Sequence, residues 1–300
     1  MTMVTRFAPS PTGPLHLGHA YSALLAHDRA RAAGGSFLLR IDDLDQSRAR
    51  PEWEAQIYDD LQWLGLSWPE PCRRESDCTA DYEAALDHLW SRGLLYRCTC
   101  TRRDIAEALS APQEGAPVHG PDGLIYPGTC RWRHPGERNA PQDHPRPRGV
   151  TLRLDMEMAT AQIGPDTPQD APIASFEETG AGPDGQTGRI DITAQDMIDG
   201  VGDVVLARRD MAASYHLAVV VDDAAQQVTE VTRGADLFDA TRIHVVLQKL
   251  LRLQTPGYHH HRLIRDDNGK RLAKRDDARA IAKYRDDGAT PADIRRMVGL

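Results

Sequence analysis

A candidate strand, Met3 to Phe7, runs straight into Pro9-Ser-Pro-Thr-Gly-Pro-Leu-His16-Leu-Gly18-His19, and this junction constrains the fold more than any other stretch of the chain. The Pro and Gly residues force a tight loop, and the helical pattern Ala20 to Ala33 begins at the two histidines. A helix N-terminus presents unpaired N–H groups and about half a positive charge, which suits a phosphate. At Gly18 the missing Cβ lets a nucleotide approach the backbone. His16 and His19 can then donate hydrogen bonds to a reacting phosphoryl oxygen. The competing reading is an ordinary strand–loop–helix corner with surface histidines, because short motifs also arise by chance. A second segment favours the phosphate reading. Asn268-Gly-Lys-Arg-Leu-Ala-Lys274-Arg-Asp-Asp is a Gly/Lys loop that opens a polar helix, Asp276 to Asp287.

The coarse pattern is α/β. Met3–Phe7 and Ser36–Ile41 are apolar runs of strand length separated by one helix, as in a βαβ unit with a buried parallel sheet. Pro51 starts a helix over Glu52–Leu64, with Trp53, Ile57, Leu61 and Leu64 on one face. Tyr82, Ala85, Leu86, Leu89 and Trp90 repeat with the same period, and these aromatic residues read as core. The sheet resumes with Val204–Arg208, Tyr215–Val221 and Val228–Thr232, and a helix over Ala240–Leu253 carries an apolar stripe. These features predict a nucleotide-binding core whose first half spans 1–93 and whose second half spans 151–254. The segment 94–150 reads as an inserted, loop-rich module, and 255–300 as the lysine loop with a short helical C-terminus. Gly, Pro, Asp and Thr crowd 159–190, which predicts a flexible surface insertion without catalytic content.

Composition narrows the setting. No apolar run reaches the length of a membrane span, and the first motif leaves no room for a signal peptide, so a cytoplasmic protein is expected. The chain has five cysteines, an odd number that fits a reducing compartment. The formal net charge of −8 argues against a broad nucleic-acid footprint and allows a small local basic face. Cys98, Cys100 and Cys130 offer three thiolates, and zinc takes four ligands in a structural site. His119 and His134 are candidate fourth ligands, and three inert thiols are the alternative. Cys72 and Cys78 lie outside the cluster. The run His259-His260-His261 reads as structural, because strand neighbours point to opposite faces and cannot converge on one ion.

His16-Leu-Gly-His19 together with Arg271-Leu-Ala-Lys274-Arg275 resembles the paired signatures of class I aminoacyl-tRNA synthetases. Arg6-Phe-Ala-Pro-Ser-Pro-Thr-Gly, Arg40-Ile-Asp-Asp-Leu-Asp45, Tyr215-His-Leu-Ala-Val-Val-Val-Asp-Asp223 and Val231-Thr-Arg-Gly-Ala-Asp236 are similar to the glutamyl-tRNA synthetases. The matches cover most of residues 4–285 in the family's order. Only a short helix and a tail follow the lysine loop, a pattern that resembles the glutamyl-queuosine tRNA(Asp) synthetases, stand-alone catalytic cores. Cys98-Thr-Cys100 and Tyr126-Pro-Gly-Thr-Cys130 match that family's zinc site, which implies Tyr126 as the fourth ligand.

The resemblance implies a Rossmann-type core that uses ATP, Mg²⁺ and Zn²⁺, with glutamate and queuosine-bearing tRNA(Asp) as partners and a monomeric state. Arg6 and Arg233 are implied as carboxylate partners, where the arginine fork matches a carboxylate in bidentate fashion. Tyr215 would add a hydroxyl donor, and Ser10 would bond near the α-carboxylate, with Phe7, Ala8 and Pro9 beside it. Asp42 would pair with the ammonium, one methylene shorter than the family's usual glutamate. His16, Gly18, His19 and Lys274 would hold ATP, with His16, His19 and Lys274 stabilising phosphoryl charge. Two rival readings are a short glutamyl-tRNA synthetase that charges the tRNA 3′ end and a class I ligase with a small-molecule acceptor. A non-catalytic relic would show eroded motifs, which these are not.

Overall fold

The computed structural model describes residues 2–109, 119–132, 144–265 and 279–300. Lys274, Arg271 and Arg275 lie outside the described residues, as do His134 and the start of the helix expected at Asp276.

Strand β1 (Val4–Phe7), helix α1 (Leu17–Ala32) and strand β2 (Ser36–Ile41) form the predicted βαβ unit, with Val4 opposite Ser36 in parallel register. Helix α2 (Pro51–Trp63) follows, then the short β3 (Arg73–Arg74), which pairs with β2, and α3 (Thr79–Ser91). Ile57, Leu61, Tyr82 and Trp90 from these helices are buried, so their apolar period does face the core.

Strand β4 (Leu95–Cys98) leads into α4 (Arg102–Leu109) and the hairpin β5 (His119–Gly120) and β6 (Gly123–Leu124). The chain returns as β7 (Thr151–Leu154), antiparallel to β4, so residues 99–150 leave and rejoin the core at neighbouring strands. Helix α5 (Met156–Ile163), the antiparallel pair β8 (Pro172–Glu178) and β9 (Gly188–Thr193), and helix α6 (Ala194–Gly200) come next. Strand β10 (Val205–Ala207) precedes helix α7 (Tyr215–Ala225), strand β11 (Glu230–Gly234) and helix α8 (Thr241–Leu250). Strand β12 (Gly257–His261) and helices α9 (Ile281–Asp286) and α10 (Pro291–Val298) complete the fold. The helix expected over Asp276–Asp287 begins only at Ile281, because Ala280 is extended and bridges His16, and a second helix follows it.

The second sheet has the order β11-β12-β8-β9, parallel across β11, β12 and β8. It adjoins the first through Thr229, whose N–H donates to the Val4 carbonyl while its hydroxyl accepts from the Val4 N–H. No helix among the described residues is long and apolar enough to cross a membrane.

Three further expectations are corrected. Tyr215–Val221 is the first part of helix α7, not a strand. It is buried on nearly every side, from His216 through Asp223, so a continuous apolar run suited both readings. Val204–Arg208 contributes a strand, but β10 joins β7 and β4 in a separate sheet with antiparallel pairing. Residues 159–190 are not a flexible surface insertion. They finish α5, form β8 and begin β9, and Phe176 packs in the core against Phe238 and Tyr258.

Candidate active site

A cavity of about 780 Å³ opens where β1, β2, β11 and β12 end. Ligands of open α/β sheets bind at the carboxyl ends of the strands, so this is the expected place. Arg6, Phe7, Ala8, His16, Gly18, His19, Asp42, Tyr215 and Arg233 all line it. Pro9 and Ser10 sit on the adjoining loop and do not line it. Lys274 lies outside the described residues.

The two motif histidines cap α1. His16 Nδ1 accepts from the Gly18 N–H at 3.1 Å, and His19 Nδ1 accepts from the His16 N–H at 3.2 Å. The rings stack with centroids 3.8 Å apart. An imidazole whose Nδ1 accepts carries its proton on Nε2, and both residues line the cavity. Gly18 makes this possible in a way not anticipated: a Cβ there would lie 3.0 Å from His16 Cε1. Its small size therefore seats a histidine against the helix. Nearby, the Ser22 hydroxyl lies 2.7 Å from His261 Nε2, and His261 Nδ1 bonds the Arg262 carbonyl at 2.9 Å.

A buried ion network supports the other wall. Arg6 Nε meets Asp223 Oδ1 at 3.0 Å, and Arg40 Nη1 meets the same oxygen at 2.7 Å. Arg40 Nε holds Asp42 at 2.8 Å, which fixes this carboxylate at the cavity edge. Burial would raise Asp223, but Arg6 and Arg40 outweigh it and hold the carboxyl below its ordinary range. At Asp42 burial wins over Arg40, and its carboxyl is shifted upward. Asp222 completes the network through Arg73 at 2.8 Å and Tyr82 at 2.8 Å. Reading Tyr215–Val221 as a strand missed Asp222 and Asp223 as supports; in a helix they fall two turns below Tyr215, under β1 and β2.

Arg233 is held differently. Its Nε donates to His260 Nε2 at 3.1 Å, its Nη1 to His244 Nδ1 at 3.1 Å, and its Nη2 to Thr241 Oγ1 at 2.6 Å and the Leu237 carbonyl at 3.2 Å. All four partners are neutral when the imidazoles are unprotonated. Burial pushes both imidazoles below the ordinary value, His244 far below, and the adjacent Arg233 charge adds to this. Among the described residues no carboxylate contacts the guanidinium, which is thus oriented without its charge being cancelled by one. Glu178 accepts from His260 Nδ1 and, at 2.9 Å, from the His260 N–H. The segment expected to be a bland insertion therefore supports the arginine. Of the three consecutive histidines, His260 points to Arg233 and His261 to the cavity, on opposite faces as the strand period requires.

The second cluster lies in the 99–150 segment. Sγ atoms of Cys98, Cys100 and Cys130 fall within 4.8 Å of one another, and Tyr126 Oη is 3.5 Å from Cys98 Sγ and 3.3 Å from Cys100 Sγ. Cys100 and Cys130 are 3.4 Å apart. Tetrahedral zinc with its usual bond lengths needs ligand separations of about 3.5–3.8 Å, so these side chains fit the ion with little movement. Among the described residues the group does not include His119. Arg153 lies over the Tyr126 ring at 3.8 Å and donates to Cys98 Sγ at 3.3 Å, a cation placed to favour thiolates. Burial would raise the Cys130 thiol, but donation from Tyr126, the Thr99 N–H and Cys100 brings it down to about 6. Arg131 clamps Asp203 through two bonds, 2.9 and 2.8 Å, and ties this cluster to the core.

The family described as "tRNA synthetases class I (E and Q), catalytic domain" matches residues 2–300. A protein named glutamyl-Q tRNA(Asp) synthetase from Rhodobacter capsulatus is 59% identical over 99% of this chain and 100% of its own length. A relative of the same name from Nocardia farcinica is 39% identical over 96% of this chain and 81% of its own. A glutamate tRNA ligase structure from Elizabethkingia meningosepticum shares the fold with TM-score 0.70 at 23% identity; this chain is covered fully and spans 61% of that one. A methionyl-tRNA synthetase structure from Mycobacterium tuberculosis shares it more distantly, with TM-score 0.57 at 14% identity over 99% of this chain and 63% of that one. The chain is a ligase and belongs to the class I tRNA synthetases of the glutamate and glutamine type, in the glutamyl-Q tRNA(Asp) synthetase family.

Proposed function

We propose that this protein activates glutamate with ATP and transfers it to queuosine in tRNA(Asp). The observation that carries the first step is Arg233, a buried guanidinium oriented by neutral partners at the edge of the cavity that also receives His16 and His19. A carboxylate entering there gains a charge partner and the one guanidinium N–H, on Nη1, that the four bonds to those partners leave over. In this reading Arg6 and Arg233 engage the carboxylates of glutamate, Asp42 its ammonium and Tyr215 contributes its hydroxyl. The α-carboxylate oxygen attacks the α-phosphorus of ATP, the bond to the bridging oxygen breaks, and pyrophosphate leaves. His16 and His19 donate Nε2–H to the α-phosphate oxygens as charge builds, and Lys274 neutralises the departing pyrophosphate. Mg²⁺ bound with ATP supplies further charge neutralisation. A hydroxyl of the nucleic acid then attacks the activated carbonyl, and AMP departs.

The queuosine acceptor rests on the names of relatives that match along the whole chain. Cys98, Cys100, Tyr126 and Cys130 fit a structural zinc. The activation step is tested by ATP–pyrophosphate exchange without tRNA. Exchange should depend on glutamate, and glutamine should fail because its amide leaves a buried arginine without an anion. Lys274→Ala should lower the rate far more than it weakens glutamate binding. Equal exchange with glutamine, or full activity of Lys274→Ala, contradicts the assignment.

A further inference from the structure

Arg233 is linked to a residue far along the chain that no sequence motif marks. Arginine can only donate, so His244 Nδ1, 3.1 Å from Arg233 Nη1, must accept. The neutral ring then carries its proton on Nε2, which faces His216 Nδ1 at 3.1 Å. His216 in turn has its proton on Nε2, and that nitrogen lies 3.2 Å from Asp122 Oδ1. The protons are thus ordered in one direction, from the guanidinium to a carboxylate.

Asp122 occupies the turn between His119–Gly120 and Gly123–Leu124, in the same segment as the cysteine cluster. The hairpin is seated closely on the core: a Cβ on Gly120 would lie 2.4 Å from the Gly200 carbonyl oxygen. A Cβ on Gly202 would lie 2.8 Å from Ile125 Cγ2. Tyr215 packs edge-on against both imidazoles, with centroids 5.5 Å and 5.7 Å away, and so borders the cavity and the chain of histidines together. His216 and His244 are buried, whereas the Asp122 side chain is 46% exposed.

We propose that Asp122 is a positioning residue for recognition of the substrate carboxylate: acting through His216 and His244, it holds Arg233 in the orientation that binds glutamate. This rests on the reading of Arg233 as a glutamate partner. The carboxylate fixes the Nε2–H tautomer of His216, which leaves Nδ1 to accept from His244, which in turn leaves Nδ1 of His244 to accept from Arg233. Without Asp122, either imidazole can flip its tautomer and present an N–H to the guanidinium or to its neighbour. Glu178 does the same for His260 on the other side. The arginine is therefore steadied by two carboxylates, each one or two imidazoles away, and keeps its own charge for the ligand.

Asp122→Ala and Asp122→Asn are compared with the wild type in the full, zinc-loaded chain by ATP–pyrophosphate exchange. Asp122→Ala should raise KM for glutamate about tenfold, the scale of one hydrogen bond to a charged group. KM for ATP should stay within about twofold, and zinc content should not change. Asp122→Asn, whose amide oxygen can still accept from His216, should recover part of the loss. An unchanged glutamate KM in Asp122→Ala, or an equal rise for ATP, overturns the proposal. Side-chain ¹⁵N spectra give a readout independent of activity. Both imidazoles should be Nε2–H tautomers in the wild type, and His244 should become a tautomer mixture in Asp122→Ala. Unchanged His244 shifts overturn the relay whatever the exchange assay shows, whereas absent exchange by the wild type bears only on the activity.

Discussion

At the scale of single residues, Gly18 separates stability from activity. Alanine is better than glycine inside a helix by about 1 kcal/mol, and Gly18 stands in the first turn of α1 without a positive φ. Propensity alone therefore favours Gly18→Ala. Against this, the new methyl would press on His16 at 3.0 Å and displace the ring from the backbone bond that orients it. A helix terminus and a side chain can relax by a few tenths of an ångström at small cost, but a donor aimed at a transition state cannot move without losing its effect. Gly18→Ala should keep its melting temperature within a few degrees of wild type while glutamate-dependent exchange falls about 10²-fold, as for loss of one such donor. A variant with full exchange would mean that the His16 bond to Gly18 is not needed to present the ring.

At the scale of elements, legibility followed how locally each one is determined. The βαβ unit and helices α1 to α3 could be read because caps, loop residues and apolar period agree along each segment. Tyr215–Val221 could not, since Val-Val-Val suits a strand by propensity and a fully buried helix by environment. What decides is tertiary: the helix puts Tyr215 at the cavity and Asp223 within reach of Arg6 and Arg40. Strand β8 was hidden by flanking Pro and Gly, although inward Ala174, Phe176 and Glu178 alternate as a half-buried strand should. Glu178 reads as a surface charge until β12 places His260 over it. In the cysteine segment the spacing named three thiols and the family resemblance added Tyr126, whose hydroxyl the fold brings within 3.5 Å of Cys98 and 3.3 Å of Cys100. Elemental analysis should find about one zinc per chain, and Cys130→Ser should lose it and loosen the 99–150 segment while the cavity at the strand ends persists. Tyr126→Phe should weaken retention in a chelator competition. If that variant binds zinc as wild type does, the tyrosine is a neighbour of the site and not a ligand.

At the scale of the whole molecule, two kinds of chemistry meet at one set of strand ends. The β1–α1 junction brings paired imidazoles, and β11 with β12 brings Arg233; the cavity of about 780 Å³ between them is where the proposed nucleotide and glutamate would meet. The chain's net charge of −8 argues that any nucleic-acid partner is held by a few local contacts and not by a broad electrostatic grip, so the fall in affinity with salt should be shallow. A catalytic pocket that receives an acceptor hydroxyl can take it from a terminal ribose or from the cyclopentenediol of queuosine, whose adjacent hydroxyls are alike in arrangement. The two possibilities differ in which end of the tRNA must be intact. The most direct test of the account is transfer of labelled glutamate to tRNA(Asp) whose 3′ CCA end has been removed, with and without queuosine in the anticodon. The account predicts labelling of the trimmed tRNA only when queuosine is present. Loss of labelling on trimming, or charging of queuosine-free tRNA(Glu) instead, would contradict it.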